Sequence, residues 1–424
     1  GGRRKCDGPQ AGDQQQPCAD GAVRPAKPQI GAGGLGRQGI DPVAPGRVGD
    51  RALRRGLWHF RDLGHSVAPM DAGVFIDGQL ASCLQIPPYT LSLNGNCFDA
   101  SYVVGVVTAP QYRNKGIMKV LIRSAIEEMR TRNHSVSILM PFDTGFYKLY
   151  GWELCYSQLN YETPIHFLKS FGSREGNFQL INVDNDIAKL NKIYLTYLKS
   201  LNGYIIRNEK NWETILKEFH NYGGYIYQLV DDKNIPVGYI QYMLKGDRLK
   251  IKEMAYTSQW AKDAIFGFIY SHYSQVSTVE WSAPVNDHSS LFLRDTIKPK
   301  PINNIALRPF MSARVIDVKN ALEHCRYPKS VTADFRIMIS DSYAPWNNAN
   351  FHVSIENGIP KVNEDTSEAP HMQCTINTFT QLFFGAIDLD EAIFMNLVRL
   401  HNNDVDEQLR EIFKKKNNYI NEFY

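Results

Sequence analysis

Residues 103–152 read VVGVVTAPQYRNKGIMKVLIRSAIEEMRTRNHSVSILMPFDTGFYKLYGW and contain the clearest structural signals in the chain. A strand over residues 102–108 stops before Pro110, which has no N–H to donate to a sheet. The basic turn QYRNKG at 111–116 leads into an amphipathic helix, and a second strand follows at Val136–Leu139. The apolar stripe of that helix consists of Ile117, Val120, Leu121, Ala125 and Met129. This order of elements predicts an α/β domain.

The turn before the helix has the features of an anion site. Gly116 permits backbone conformations that a larger residue resists, so that consecutive N–H groups can point into one concavity. The helix N-terminus adds unpaired donors and the positive end of its dipole. Arg113 and Lys115 add full charges. A solvated basic turn in any α/β domain has the same composition, so the turn alone does not identify a ligand.

Two motifs together resemble the GNAT N-acetyltransferases. Arg113-x-x-Gly116, after a strand and before a helix, resembles the acetyl-coenzyme A loop of that family. FYKLYGW at 146–152 resembles the family's later motif, and closely so in the Eis-like branch. In that branch a GNAT domain is followed by a degenerate second GNAT domain and a sterol-carrier-like domain. Many GNAT loops have glycine or alanine where Met118 stands, whereas Eis-like proteins tend to have a bulky residue there.

The resemblance extends from about residue 73 to the last residue, and it implies the fold class and the domain order. We expect an α/β (α+β) chain with a catalytic GNAT domain at 74–164, a degenerate GNAT-like domain at 165–308 and a sterol-carrier-like domain at 309–424. The second region repeats the strand and helix order of the first. Its segment YTSQW at 256–260 lacks the glycine and the basic pair of a phosphate loop, so we expect no cofactor there.

The first 73 residues differ from the rest of the chain. Glycine, arginine, proline and glutamine dominate, and Trp58 and Phe60 are the aromatic residues of the segment. Such a composition rarely supports an ordered core. A GNAT domain should begin with a strand and two helices that help to form the acceptor pocket, and none is recognisable here. A disordered extension, a sequence of artificial origin and a stretch translated in the wrong frame all fit this composition.

Short signals outside the two motifs predict further elements. DG at 77–78, NG at 94–95 and NG at 357–358 predict tight hairpin turns. Apolar periodicity predicts a helix over residues 389–400. The tail NNYINEFY at 417–424 has three aromatic residues and an isoleucine, which predicts a docked chain end.

Composition excludes several classes of protein. The 424 residues carry a net charge of +3, which argues against a general nucleic-acid or membrane-surface binder. Seven cysteines without paired spacing indicate neither a metal site nor a disulfide framework, so we expect a cytoplasmic protein without a metal. No run of 18 apolar residues appears, so we expect no membrane insertion.

The resemblance implies which residues bind the cofactor acetyl-coenzyme A. The strand before the loop would supply backbone N–H groups to the thioester carbonyl, with Val106 and Thr108 as the expected donors. The loop and the start of the helix would hold the phosphates. The full set of expected cofactor contacts is Val106, Val107, Thr108, Arg113, Asn114, Lys115, Gly116, Ile117 and Met118.

The resemblance also implies two catalytic groups. Tyr147 stands at the position of the acid that serves the thiol leaving group, and Tyr150 competes for that role. The carboxylate of the last residue, Tyr424, would fold back and act as the base. A free α-carboxyl has a pKa near 3.5, so it would need desolvation to become effective. A core aromatic residue and a frayed tail are the alternatives for Tyr147 and Tyr424.

We therefore expect an acetyl-coenzyme A-dependent N-acetyltransferase. Its acceptor would be a primary amine of polyamine, lysine-like or aminoglycoside-like character, and relatives in the Eis-like branch suggest a homo-oligomer as large as a hexamer. The alternative is a lipid or sterol carrier with the GNAT domains as scaffold. Apolar residues at 379–387 and 393–398 would line its tunnel, although ordinary core packing explains them more simply. An inactive enzyme fold is a third hypothesis.

Overall fold

The computed structural model describes residues 53–54, 71–172, 176–293, 303–365, 367–401 and 405–423, with the side chains of 53, 54, 183 and 184 excepted. The prediction for residues 1–73 lies almost wholly outside the described residues, and so does the one for Tyr424. Among the described residues, no helix has both the length and the apolar character needed to span a bilayer.

The first region contains the segment with the clearest signals. Its elements are β1 (Leu53–Arg54), β2 (Ala72–Ile76), β3 (Gln79–Gln85), β4 (Pro88–Leu93), β5 (Asn96–Tyr102), β6 (Val104–Thr108), α1 (Ile117–Thr131), β7 (Val136–Leu139), α2 (Thr144–Lys148) and β8 (Glu153–Pro164). Both predicted hairpin turns are confirmed. Asp77 and Gly78 have φ of 50° and 77°, and Asn94 and Gly95 have 51° and 75°, as a tight hairpin turn requires.

The second region repeats the same kinds of element. It consists of β9 (Asn177–Leu180), α3 (Val183–Leu198), β10 (Tyr204–Ile205), α4 (Glu209–Asn221), β11 (Tyr225–Val230), β12 (Pro236–Lys245), β13 (Arg248–Tyr256), α5 (Gln259–Tyr270), β14 (Thr278–Ala283) and β15 (Asn304–Val315). Strand β15 lies between β7 and β8 and is antiparallel to both. One sheet of eleven strands therefore runs through both regions, in the order β10-β4-β5-β7-β15-β8-β14-β13-β12-β11-β9.

The third region forms a separate sheet of five strands in the order β18-β17-β16-β19-β20. Its elements are α6 (Val318–His324), β16 (Ala333–Ser340), β17 (Asn350–Glu356), β18 (Ile359–Glu364), β19 (Met372–Thr375), α7 (Ile376–Phe384), α8 (Leu389–Phe394), β20 (Val398–Leu400) and α9 (Asp406–Ile412). The turn at 357–358 is confirmed, with φ of 53° and 76°. The helix predicted over 389–400 is wrong beyond Phe394, because Asn396 has a φ of 56° and the chain returns as β20 beside β19.

The strand predicted over 102–108 is divided between two sheets. Strand β5 is parallel to β7 up to the pair Tyr102 and Ile138. Gly105 has a φ of 60°, and the register shifts there as β6 turns away to pair with β3. Strand β6 becomes the edge of a four-stranded sheet in the order β1-β2-β3-β6. The divergence of β6 from β7 opens a wedge between the two strands, and we call this the strand wedge.

A buried arginine joins the first region to the third. Arg314 on β15 is fully buried; its Nη1 donates to the carbonyl oxygen of Tyr150 at 2.8 Å and its Nη2 to Asp341 Oδ2 at 2.7 Å. Gly151 has a φ of 92°, and a Cβ added there would lie 1.5 Å from Arg314 Nη1. Glycine at this position therefore leaves room for the guanidinium.

Replacing Gly151 with alanine is expected to destabilise the fold by about 2 kcal/mol, because the strained φ adds to displacement of a buried ion pair. The measurement is the midpoint of thermal unfolding. Gly246→Ala is the matched control, since Gly246 also has a positive φ of 64° but would place its Cβ in open space. Equal shifts for the two variants would show that the contact with Arg314 contributes nothing.

Candidate active site

Strand β6 presents backbone groups to the strand wedge. The N–H of Ala109 donates to the carbonyl of Ala81 at 2.9 Å, on the β3 side. Because successive N–H groups of a strand alternate in direction, the N–H of Thr108 points to the wedge side. The bulge at Gly105 interrupts this alternation before Val106. The alternation therefore gives the direction of the N–H of Thr108 but not that of Val106. The side chain of Val107 is exposed.

The loop after β6 feeds directly into the N-terminus of α1. A short 3₁₀ turn at Pro110–Tyr112 is followed by Asn114 with a φ of 58° and Gly116 with a φ of 71°. Gly116 is the N-cap of α1, and no side chain caps this helix end. The first N–H groups of a helix have no partner within it, so those of Ile117 and Met118 are directed toward the loop.

The charge around this helix end is positive. The side chains from Arg113 to Gly116 are exposed, and the first turn of α1 contains no acidic residue. Lys115 Nζ lies 5.5 Å from the ring centroid of Tyr112, and the Arg113 Nε donates to the carbonyl of Thr108 at 3.3 Å. Left-handed backbone, uncapped donors and cations together suit a pyrophosphate. The residues present therefore fit the phosphate part of coenzyme A.

Tyr147 lies on α2 among aromatic rings. Asp143 caps this short helix by accepting from the N–H of Phe146 at 3.1 Å. The Tyr147 ring contacts Phe146 edge-on at 5.1 Å and Phe142 at 5.6 Å. Burial raises the pKa of Tyr147 to about 12, so its hydroxyl stays protonated at neutral pH. Among the described residues this hydroxyl has no hydrogen-bond partner, so it is available to a ligand.

Tyr150, the competing acid, faces a different neighbour. Its ring lies 5.0 Å from that of Tyr343 in the third region. Burial and the neighbouring Tyr343 raise the pKa of Tyr150 as well. Val106, Ile117 and Tyr147 belong to one apolar cluster together with Tyr150, so the structure brings together the strand, the loop and α2. The side chain of Ile117 is buried there, which leaves its backbone N–H for a ligand.

The prediction of a docked tail is confirmed up to residue 423. The side-chain amide of Asn418 donates to the carbonyl of Cys155 at 3.0 Å, and that of Gln158 on β8 donates to the carbonyl of Ile420 at 2.7 Å. Phe423 packs against Phe310 with ring centroids 5.1 Å apart. The tail therefore lies between β8 and the second region, although Tyr424 itself is outside the described residues.

A buried charge network that the sequence did not reveal holds this tail. Arg207 donates through Nη1 and Nη2 to both carboxylate oxygens of Glu253, each at 2.8 Å, and through Nε to Glu422 Oε1 at 2.7 Å. Its guanidinium lies 4.2 Å from the ring centroid of Tyr194 and 4.6 Å from that of Trp212. We call Arg207, Glu253 and Glu422 the tail latch. The one sequence signal for this network is an arginine directly after the apolar residues of YIIRN at 204–208, which indicates a buried charge.

Lys252 borders the tail next to the latch. Burial lowers its pKa to about 8, although Glu253 and Glu422 oppose that shift. Its Nζ lies 3.3 Å from the ring centroid of Phe423, a cation–π contact. A titratable cation therefore lies beside the penultimate residue of the chain.

The corresponding helix end of the second region is built differently. Ser258 caps α5 by accepting from the N–H of Ala261, so a side chain satisfies a donor that remains uncapped in α1. Lys262, four residues after the cap, forms a buried ion pair with Asp287 at 2.8 Å. A side-chain cap and a buried ion pair therefore occupy the positions at which α1 has uncapped donors and exposed cations.

Comparisons with known proteins identify all three regions. Residues 71–155 and residues 203–315 each match a family model described as an acetyltransferase (GNAT) domain. Residues 318–421 match a sterol carrier protein domain. A sequence comparison with curated proteins gave no significant match.

Several solved structures share the fold over most of the chain. A conserved protein from Enterococcus faecalis V583, described as a probable N-acyltransferase, is 21% identical with a TM-score of 0.75, covering 84% of this chain and 89% of that one. A GCN5-related N-acetyltransferase from Anabaena variabilis is 21% identical with a TM-score of 0.72, covering 83% and 89%. Eis1 from Mycobacterium abscessus is 17% identical with a TM-score of 0.65, covering 83% and 90%.

The order of these matches is the one that the Eis-like resemblance implied. The chain contains two regions that match GNAT acetyltransferase domains, followed by one region that matches a sterol carrier protein domain.

Proposed function

We propose that the protein transfers an acetyl group from acetyl-coenzyme A to a primary amine, with the first GNAT domain as its active site. The observation that carries this proposal is the uncapped, basic N-terminus of α1 beside the strand wedge and Tyr147. Acetyl-coenzyme A, when bound, supplies an activated thioester. The exposed loop from Arg113 to Gly116, together with the N–H groups of Ile117 and Met118, binds its phosphates.

The strand wedge orients the reacting carbonyl. The N–H of Thr108 points to the wedge side and donates to the carbonyl oxygen as negative charge develops on it. Val106 and Val107 remain expected contacts on the same strand. Donors fixed in a backbone cost little reorganisation during the reaction, which is why they contribute strongly to acyl transfer.

Tyr147 serves the leaving sulfur by donating its proton through a hydrogen bond. Its pKa of about 12 ensures that the proton is present at neutral pH. Because a free thiol has a pKa of about 8.5, complete loss of the Tyr147 proton to the sulfur is unfavourable. A hydrogen bond that stabilises the departing thiolate is the role that fits these values.

The amine must lose a proton before it attacks. A primary alkyl amine has a pKa of about 10.4, so neutralising it at pH 7 costs about 4.6 kcal/mol. We propose that the carboxylate of Tyr424 accepts this proton or orients the amine. The docking of the tail as far as Phe423 supports the proposal, because it brings the end of the chain between β8 and the second region.

The proposal also includes an acceptor class and a cellular setting. Polyamine, lysine-like and aminoglycoside-like amines all satisfy the requirement for a primary amine. Free cysteines at 83, 97, 155, 325 and 374 favour a reducing cytoplasm. The Eis-like resemblance favours a homo-oligomer as large as a hexamer. For the carrier alternative, Phe379, Phe383 and Phe384 pack in the main core rather than at a free surface.

The experiment that tests the proposed function measures release of free thiol from acetyl-coenzyme A, with protein to which nothing is appended after Tyr424. Spermidine, a lysine derivative and an aminoglycoside are the acceptors, and reactions without amine are the control. We expect release that depends on the amine. If coenzyme A does not bind at all, the enzyme proposal fails and the carrier alternative takes its place.

A further inference from the structure

The sterol carrier domain reaches the first GNAT domain next to the proposed phosphate site. The loop after β16 places Tyr343 beside α1, with Lys119 Nζ and Arg123 Cζ each 6.0 Å from its ring centroid. Lys119 and Arg123 are four residues apart, so they lie on one face of α1, about 6 Å apart along the axis. Both are exposed, and neither has an ion-pair partner in the part of the chain that the structure describes.

This face continues directly from the proposed pyrophosphate site. Lys119 is the third residue of α1, adjacent to the Ile117 and Met118 N–H groups. The proposed acid is linked to the same place by a row of ring contacts. Tyr147 contacts Phe146 at 5.1 Å, Phe146 contacts Tyr150 at 5.3 Å, and Tyr150 contacts Tyr343 at 5.0 Å. The row thus runs from the reaction end of the site to the two cations.

Tyr343 also borders a cleft of about 470 Å³ between the segment that follows α2, at Leu149 and Gly151, and the sterol carrier domain. The size falls in the usual range for small-molecule sites, about 300 to 1,000 Å³. Hydroxyl and amide side chains dominate its lining, among them Ser342, Asn348, Thr375 and Asn377. Such a lining suits the hydrogen-bonding edges of a base and a ribose rather than a lipid chain.

We propose that Tyr343 and this cleft bind the adenosine end of coenzyme A, and that Lys119 and Arg123 bind its 3′-phosphate. This inference rests on the proposed function. It gives the sterol carrier domain a part in cofactor binding that does not involve a lipid. Tyr343 offers a face on which a base stacks, and the two cations offer charge to a phosphate that the pyrophosphate loop does not reach.

The loop that carries Tyr343 is held rigidly, as a binding platform requires. Asp341, which is buried, accepts from the N–H groups of Tyr343 at 2.9 Å and Ala344 at 3.1 Å. Asp341 also accepts from Arg314 at 2.7 Å and from the Asn347 side-chain amide at 3.0 Å. The buried link from β15 therefore fixes the position of Tyr343 relative to α1.

Calorimetric titration of the full chain with coenzyme A and with dephospho-coenzyme A, which lacks the 3′-phosphate, tests this proposal. The wild-type protein is expected to prefer coenzyme A by about tenfold or more, as two charge-assisted contacts imply. The double variant Lys119→Gln/Arg123→Gln should lower the affinity for coenzyme A to the level of the affinity for dephospho-coenzyme A. Its affinity for dephospho-coenzyme A should equal that of the wild-type protein. Lys233→Gln/Lys245→Gln is the matched control on an exposed surface of the second region, and it should change neither affinity.

Tyr343→Ala should lower the affinity for both ligands equally, by about tenfold, because both contain the adenine base that stacks on this ring. Tyr343→Phe should bind like wild type, and Tyr273→Ala is the control for loss of an exposed tyrosine. Equal affinity of the wild-type protein for both ligands, or unchanged binding by Tyr343→Ala, would overturn the inference while leaving the proposed function intact. Failure of the wild-type protein to bind coenzyme A would instead overturn both.

Discussion

Replacing Tyr147 with phenylalanine is expected to lower kcat for acetyl transfer about 100- to 1,000-fold, the range found when one hydrogen-bond donor to a developing negative charge is removed. The substitution removes only the hydroxyl and keeps the ring that contacts Phe142 and Phe146. The packing of α2 should therefore survive. Without the hydroxyl the leaving thiolate loses its hydrogen-bond donor, so the chemical step slows while cofactor binding is kept.

The measurement separates kcat from the affinity for acetyl-coenzyme A. We expect the dissociation constant for coenzyme A to stay within about twofold of wild type, since Tyr147 acts on the transition state. Tyr150→Phe is the matched control: its ring is also buried, but it faces Tyr343. A loss of kcat in Tyr150→Phe with none in Tyr147→Phe would assign the acid to Tyr150 instead.

The pH dependence gives an independent check on the acid. With a pKa of about 12, Tyr147 keeps its proton throughout the range in which the amine becomes neutral. The value of kcat/KM for an alkyl amine should therefore rise with pH up to about 10, since the amine pKa is about 10.4. A fall that begins near pH 9 and disappears in Tyr147→Phe would contradict the raised pKa.

Local signals in the sequence predicted the hairpin turns and the main helix of the first GNAT domain. Short-range physical chemistry explains both. The pair Asn94 and Gly95 strongly favours a tight hairpin turn, and the apolar stripe of α1 favours a helix. The motif around Tyr147 likewise placed a tyrosine within a buried aromatic cluster. The turns and the apolar stripe of α1 need no partner from elsewhere in the chain, whereas the cluster around Tyr147 also includes Tyr343 of the third region.

Structural features that depend on contacts between residues far apart in the chain could not be predicted from the sequence. Strand β15 (Asn304–Val315) runs across residues 308 and 309, where the second and third regions were expected to meet, and it joins β7 to β8 in one sheet. The helix predicted beyond Phe394 gave way to β20, because pairing with β19 outweighed helical periodicity. Arg207 and Glu422 are 215 residues apart, and no local pattern connects two charges at that separation.

The tail latch offers the largest expected effect on stability. Replacing Arg207 with leucine is expected to destabilise the fold by about 3 to 5 kcal/mol, because two buried carboxylates lose the cation that pairs with them. The side chains of Arg207, Glu253 and Glu422 are 1%, 5% and 7% exposed, so water cannot substitute for the lost contacts. The midpoint of thermal unfolding should fall by roughly 3 to 6 °C.

Arg248→Leu is the matched control for this substitution. Arg248 also binds two glutamates, Glu162 and Glu280, but its side chain is 41% exposed. Surface ion pairs contribute about 0 to 1 kcal/mol, so this control should barely change the unfolding midpoint. Equal effects of the two substitutions would show that burial of the latch is not the cause.

A milder variant connects the latch to catalysis. Glu422→Gln keeps the shape of the side chain and a hydrogen-bond acceptor for Arg207 Nε, so the fold should lose only about 1 to 2 kcal/mol. If the latch holds the end of the chain in the first GNAT site, kcat should fall while the affinity for coenzyme A stays unchanged. Because the loop from Arg113 to Gly116 lies outside the latch, a parallel loss of cofactor affinity would indicate general unfolding instead. A kcat equal to that of wild type would separate the tail from the chemistry and leave the latch a structural contact only.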